Sequence, residues 1–88
     1  MRINDKKVHQ NIGAFLRKAR LKNKMEQKQV AAKIGLGQAQ YISNVENGKA
    51  AVSIKSLRKL VKHYGIPKGV AARMIGKSIE NYYLEQLR

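Results

Sequence analysis

Apolar residues recur at three- and four-residue steps along nearly the whole chain, the spacing that gives a helix one buried side. Val8, Ile12, Phe15, Leu16 and Ala19 describe an amphipathic helix from about Lys7 to Lys22. Asn4 or Asp5 can cap its start, and Asn23-Lys24 forms a turn after it. Val30, Ala31 and Ile34 mark a second helix from about Gln27 to Ile34, stopped by Gly35 in the left-handed conformation. Gly35-Leu36-Gly37 is a tight connector to a third helix from about Gln38 to Asn47, which turns Ile42 and Val45 inward. Asn47-Gly48 closes that helix, since both residues tolerate positive φ. Ser53 caps a fourth helix carrying Ile54, Leu57, Leu60, Val61 and Tyr64, and Gly65 ends it. Pro67 suits the first turn of a fifth helix, roughly Lys68 to Gln86, with Ile75, Ile79, Tyr82 and Tyr83 on one side. No strand alternation competes, and no segment repeats. The fold class is all-α, with a soft boundary at Gly65-Ile66-Pro67 between a four-helix unit (residues 7–66) and a C-terminal helix (residues 67–88).

Composition sharpens the picture. Eighty-eight residues suffice for one domain, and 43% apolar with 27% charged residues are ordinary globular values. Cysteine is absent, so neither a disulfide framework nor a thiolate metal site is available. The N-terminus is not followed by an apolar stretch of signal-peptide or membrane-span length, so a cytoplasmic protein is expected. Charge says more. Nineteen Lys and Arg oppose five Asp and Glu, a net charge of +14, and Lys6 to Met25 carries seven basic residues and no acidic one. Such an imbalance repels the folded chain from itself and implies a polyanionic partner, either nucleic acid or an anionic membrane.

Two short helices joined by a glycine-containing turn inside a basic all-α domain form the helix-turn-helix arrangement. Ala31 is the small residue needed where the helices cross, and Gly35 permits the sharp turn. The second helix of the pair buries Ile42 and Val45 and leaves Gln38, Ala39, Gln40, Ser43 and Asn44 outside. That outer side is small and amide-rich, with no charge before Glu46. An idle surface helix in so basic a protein would carry Lys or Glu. Gln and Asn can instead pair bidentately with adenine, while Ala or a Tyr ring edge packs on thymine methyls.

The segment Gln27-Lys28-Gln29-Val30-Ala31-Ala32-Lys33-Ile34-Gly35-Leu36, followed by Tyr41-Ile42-Ser43-Asn44-Val45-Glu46-Asn47-Gly48-Lys49, resembles the Cro/C1-type (XRE family) DNA-binding domain. The likeness runs from about Ile12 to Ile66. It implies a five-helix, lambda-repressor-like helix-turn-helix fold with the last helix extended, and double-stranded DNA as partner. It further implies that Gln27 and Lys28, at the start of the second helix, meet phosphate, Gln27 with side chain and backbone amide. Gln38, Ala39, Gln40, Tyr41 and Asn44 would face base edges. Ser43, Asn47 and Lys49 would hold the sugar–phosphate backbone. Glu46 would pair with Arg20 as a structural link and not as a DNA contact. Two departures stand out. Gly35 to Ile42 spans one residue more than the family's commonest spacing, so the turn is longer or the third helix starts later. Glu26 also replaces the usual Ser or Thr cap, which suits the helix dipole but brings a carboxylate near phosphate.

Other chemistry finds no footing. His9 and His63 lie in different helices without acidic neighbours at ligand spacing. Ser43 and Ser78 have no histidine placed to activate them. No enzyme, metal or cofactor is expected. The stripe Val70, Met74, Ile75, Ile79, Tyr82, Tyr83 and Leu87 exceeds what one side of a small domain easily buries. Part of it packs on the four-helix unit, and the rest offers an isologous dimer contact or, across residues 70–87, a site for another protein. Arg73, Lys77, Glu80 and Glu85 mix signs, which argues against a membrane-surface role. The expected function is a sequence-specific regulator, a repressor more than an activator, acting as a homodimer on a palindromic operator. The rivals are an antitoxin or adaptor that autoregulates its promoter, and an architectural or RNA-binding protein using charge without base readout.

Overall fold

The computed structural model describes residues 6–88, so the Asn4 or Asp5 cap lies outside the described residues. Five helices follow one another: α1 (Lys6–Lys22), α2 (Gln27–Lys33), α3 (Gln40–Glu46), α4 (Ile54–His63) and α5 (Lys68–Gln86). No strand occurs among the described residues. The one clear shift from the sequence pattern is at α3, which begins at Gln40 and not at Gln38. Its N-cap is Ala39, which has no side-chain acceptor for the first amides, and the first intrahelical bond runs from the Ser43 amide to the Ala39 carbonyl at 3.0 Å. Gln38 and Ala39 thus belong to the connector, and Ile42 and Val45 still reach the interior.

The core joins α1 (Val8, Ile12, Leu16), α2 (Val30, Ala31), Ile34, α3 (Ile42, Val45), α4 (Leu60) and Tyr64. Leu16, Ile42, Leu60 and Val30 are its largest fully enclosed side chains. Closing such side chains off from water contributes roughly 1.5–3 kcal/mol each. Where α1 crosses the end of α3 there is no room for any side chain. A Cβ on Gly13 would overlap the Val45 carbonyl oxygen and come within 2.9 Å of the Glu46 carbonyl oxygen. The chain therefore brings two backbones together at this crossing.

α5 lies along α1 through buried Ala71 and Ser78, with Met74, Ile75, Ile79 and Tyr82 packed partly against the core. Ser78 Oγ donates to the Met74 carbonyl one turn back at 3.1 Å, so the buried hydroxyl is satisfied within its own helix. Tyr82 and Tyr83 meet edge to face with ring centres 5.3 Å apart. Val70, Leu84 and Leu87 stay exposed.

α1, α2, α3 and α4 all end in the same bonding pattern, in which two successive amides fold back on the last turn. After α2 the Gly35 amide reaches the Ala32 carbonyl (3.2 Å) and the Leu36 amide reaches Ala31 (2.8 Å), with Gly35 at φ +84°. After α1 the Lys24 amide reaches Leu21 (3.0 Å) and the Met25 amide reaches Arg20 (3.2 Å). There the left-handed position is held by Lys24 at φ 55°, the one non-glycine residue with positive φ among those described. Its Cβ crowds the backbone at a cost of roughly 1 kcal/mol. Lys24→Gly is expected to stabilise the fold by about 0.5–1 kcal/mol, raising the melting temperature by about 2–6 °C. Thermal unfolding followed by circular dichroism checks this, and a lower melting temperature would contradict it.

Candidate DNA interface

The C-terminal end of α3 is held by a compact polar network. Arg20 on α1 donates from Nε to Glu46 Oε2 at 2.7 Å and from Nη2 to Oε1 at 3.0 Å, a two-pronged fit of guanidinium to carboxylate. Its remaining nitrogen, Nη1, donates to the Met25 carbonyl at 2.8 Å. Gln27 at the start of α2 adds a third donor to the carboxylate, Nε2 to Oε1 at 3.0 Å. Arg20 and Glu46 are 7% and 6% exposed, so both charges are withdrawn from water and each is matched by the other. The bond to Glu46 outweighs desolvation and raises the Arg20 pKa. Tyr64 lies beside this pair, and burial, assisted by the Glu46 carboxylate, pushes its phenol up to about 12. It stays neutral throughout the physiological range.

The N-terminus of α2 is closed by its own side chain. Gln29 Oε1 accepts from the Glu26 amide at 2.8 Å, the returning half of a capping box. Glu26 and Gln29, three positions apart, carried that signal in the sequence.

On the outer side of α3, Gln40 is exposed and Ser43 and Asn44 are half-buried. Gln40 Nε2 donates to Asn44 Oδ1 at 3.0 Å, and Asn47 Nδ2 donates to Ser43 Oγ at 3.3 Å. The first bond aligns the two amides as a unit, leaving the Gln40 carbonyl oxygen to accept and the Asn44 amide nitrogen to donate. Gln38 stands outside the helix, exposed, and Ala39 at its N-cap is half-buried. Tyr41 turns inward, half-buried against the core, and its hydroxyl accepts from the Ser53 amide at 3.1 Å. Gln27 likewise commits one side-chain N–H to Glu46, while its backbone amide, at the first position of α2, has no acceptor within the helix. Lys28 and Lys49 are exposed.

Basic side chains flank the end of α3. Lys6 and His9 on α1 line one depression with Gly48 and Lys49. Arg17 and Lys18 line another with Ala14, Leu21, Glu46 and Asn47. The Lys6–His9 flank was not apparent from the sequence, because it depends on α1 lying against the α3–α4 loop. Gly48 makes that contact possible, since a Cβ there would come within 2.8 Å of the Gln10 Cα. Lys59 was also missed. Its Nζ donates to the Ile34 carbonyl at 3.1 Å from a helix 25 positions further along the chain. Among the described residues, no helix is long and apolar enough to cross a membrane. No cluster of three or more potential metal-binding side chains occurs among them either.

A short helix presenting uncharged amides, propped on a preceding short helix and bordered by cations, is the working part of a DNA-binding helix-turn-helix regulator, a non-enzymatic fold. The profile of the Helix-turn-helix family matches residues 16–70, and the chain belongs to this family, in its XRE branch. The fold is similar to that of the restriction-modification controller protein C.Esp1396I, solved as a point mutant. The two share 30% identity with a TM-score of 0.67, over 82% of this chain and 95% of that one. Among curated proteins, none matches.

Removing the Glu46 carboxylate would leave the Arg20 guanidinium buried without its partner. Glu46→Ala is expected to destabilise the fold by about 3–5 kcal/mol. Urea unfolding measures it, and an unchanged midpoint would show that the pair carries no stability.

Proposed function

We propose that the protein recognises a specific double-stranded DNA sequence and represses transcription by occupying a palindromic operator as a homodimer. The observation that carries this reading is the outer side of α3. Its amides are joined to each other and uncharged, Gln40 exposed and Asn44 half-buried, while its other side is anchored in the core and its end is bordered by Lys6, His9, Arg17, Lys18 and Lys49. In this reading Gln38, Ala39, Gln40 and Asn44 face base edges, with the Tyr41 ring beside them. Gln27 through its backbone amide, Lys28, Ser43, Asn47 and Lys49 hold phosphates. An amide pair offering one acceptor and one donor matches the N6 and N7 edge of adenine. The likeness to a restriction-modification controller protein supports a regulatory role.

Dimerisation follows from reach. One recognition helix reads only a few base pairs, whereas two set about 34 Å apart along the duplex multiply affinity and specificity. Residues 7–66 form the DNA-binding unit in this proposal, and residues 67–88 supply the dimer contact through exposed Val70, Leu84 and Leu87 on and just beyond α5. The same exposed residues suit a second reading, an adaptor or antitoxin whose C-terminal helix grips another protein. The protein would act in the cytoplasm, on the chromosome.

Selection of bound duplexes from a random pool, followed by sequencing, tests the proposal. A palindromic motif supports a sequence-reading dimer, a single half-site removes the dimer, and no enriched motif removes base reading altogether. Gln40→Ala and Asn44→Ala should each weaken binding to the selected duplex by about 1–3 kcal/mol while sparing unrelated duplexes. Lys49→Ala should weaken all duplexes alike and lower the slope of log affinity against log salt by about one. Titration by fluorescence anisotropy at several salt concentrations reads both effects.

A further inference from the structure

The end of α3 that faces the bases is the less secured of its two ends. Its C-terminus is tied by Arg20, Glu46 and Gln27, but Ala39 at the N-cap offers no side chain to the open amides. The connector before it contains two glycines, Gly35 and Gly37. The Gly35 and Leu36 amides fold back onto α2, and two further bonds reach this stretch from one neighbour, α4 and its cap.

Lys59 projects from α4 back over the turn. Its Nζ donates to the Ile34 carbonyl at 3.1 Å, and it lies 4.0 Å from where a Cβ on Gly35 would stand. A cation here satisfies a carbonyl left open at the end of α2 and suits the negative end of that helix. Six residues earlier Ser53, the α4 cap, donates its amide to the Tyr41 hydroxyl at 3.1 Å in the first turn of α3. The two bonds hold the connector at its entry and just past its exit. Both depend on one rigid helix, which also plants Leu60 in the core.

We infer that α4 sets the pose of the base-reading end of α3, and that Lys59 is a positioning residue for sequence discrimination without touching DNA. The inference rests on the base-reading proposal above. It assigns to α4 a part in specificity separate from its part in the core. Freed from Lys59, the entry to the connector can shift, and Gln40 and Asn44 lose their alignment with the groove while the cationic flanks stay in place.

The test compares the full chain with Lys59→Met, Lys59→Arg and Tyr41→Phe. Affinity is measured for the duplex selected from the random pool and for a scrambled duplex of equal length, at several salt concentrations. Lys59→Met should lower the ratio of selected to scrambled affinity roughly tenfold, an effect toward the lower end of what a good base contact is worth. Scrambled binding and the salt slope should stay as they are. Lys59→Arg, which keeps a donor and the charge, should recover most of the ratio. Tyr41→Phe, which removes only the accepting oxygen, should lower the ratio in the same direction. An equal loss on both duplexes with a salt slope lower by about one would make Lys59 a phosphate contact and overturn the inference. A lower melting temperature with an unchanged ratio would overturn it as well, reducing Lys59 to a stabilising contact. If the unaltered protein shows no preference between duplexes, it is the base-reading proposal that fails.

Discussion

The whole arrangement depends on how one carboxylate is buried. Glu46 lies at the last turn of α3 and receives two donors from Arg20 on α1 and one from Gln27 on α2. In a chain of net charge +14, an acidic side chain kept from water can be retained only by fully matched partners. That requirement fixes three helices against one another at a single point. The Gly13 crossing makes the point reachable, because α1 can approach the end of α3 only where neither backbone carries an intervening side chain. Arg20 then also binds the Met25 carbonyl, so the α1–α2 turn is drawn into the same cluster.

In the proposed function, affinity and discrimination fall to different parts of the surface. The cations at the end of α3 come mainly from α1 and the loop after α3, and they suit a phosphate backbone of any sequence. The outer face of α3 carries no charge, so what it adds is hydrogen-bonding pattern and shape. The bond between Gln40 and Asn44 restricts both amides before any ligand arrives, which reduces the ordering cost on binding. Its influence depends on the pose of a seven-residue helix, too short to be stable alone. Hence the bonds from neighbouring elements matter more here than in a long helix.

The repeated helix-end pattern shows how a chain of this size stays well defined. Four consecutive helices finish by folding two amides back onto the preceding turn, and each such end redirects the chain sharply. Three of them place glycine at the left-handed position, and the fourth places Lys24 there. The fifth helix differs. It runs along α1, sheltering Ala71 and Ser78, yet leaves Val70, Leu84 and Leu87 in solvent. It thus serves the fold with one side and offers the other.

The sequence by itself determined the features that rest on local chemistry. Apolar spacing marks the inward positions Ile12, Leu16, Val30, Ile42, Val45 and Leu60, since a helix repeats its faces every three to four residues. Gly35 and Gly65 end helices where they stand because the left-handed position there tolerates no Cβ without strain, and Ser53 caps α4 with its own hydroxyl. Only the tertiary structure decided the start of α3, the bond of the Tyr41 hydroxyl to the Ser53 amide, the bond of the Gln27 side chain to Glu46, and the reach of Lys59 to the end of the second helix. Each of these depends on a partner between 12 and 25 positions away, or on where the core demands Ile42 and Val45. Nothing in the neighbouring residues distinguishes a glutamine that grips a carboxylate from one that awaits a phosphate. The difference arises only when the folded chain brings the carboxylate within reach.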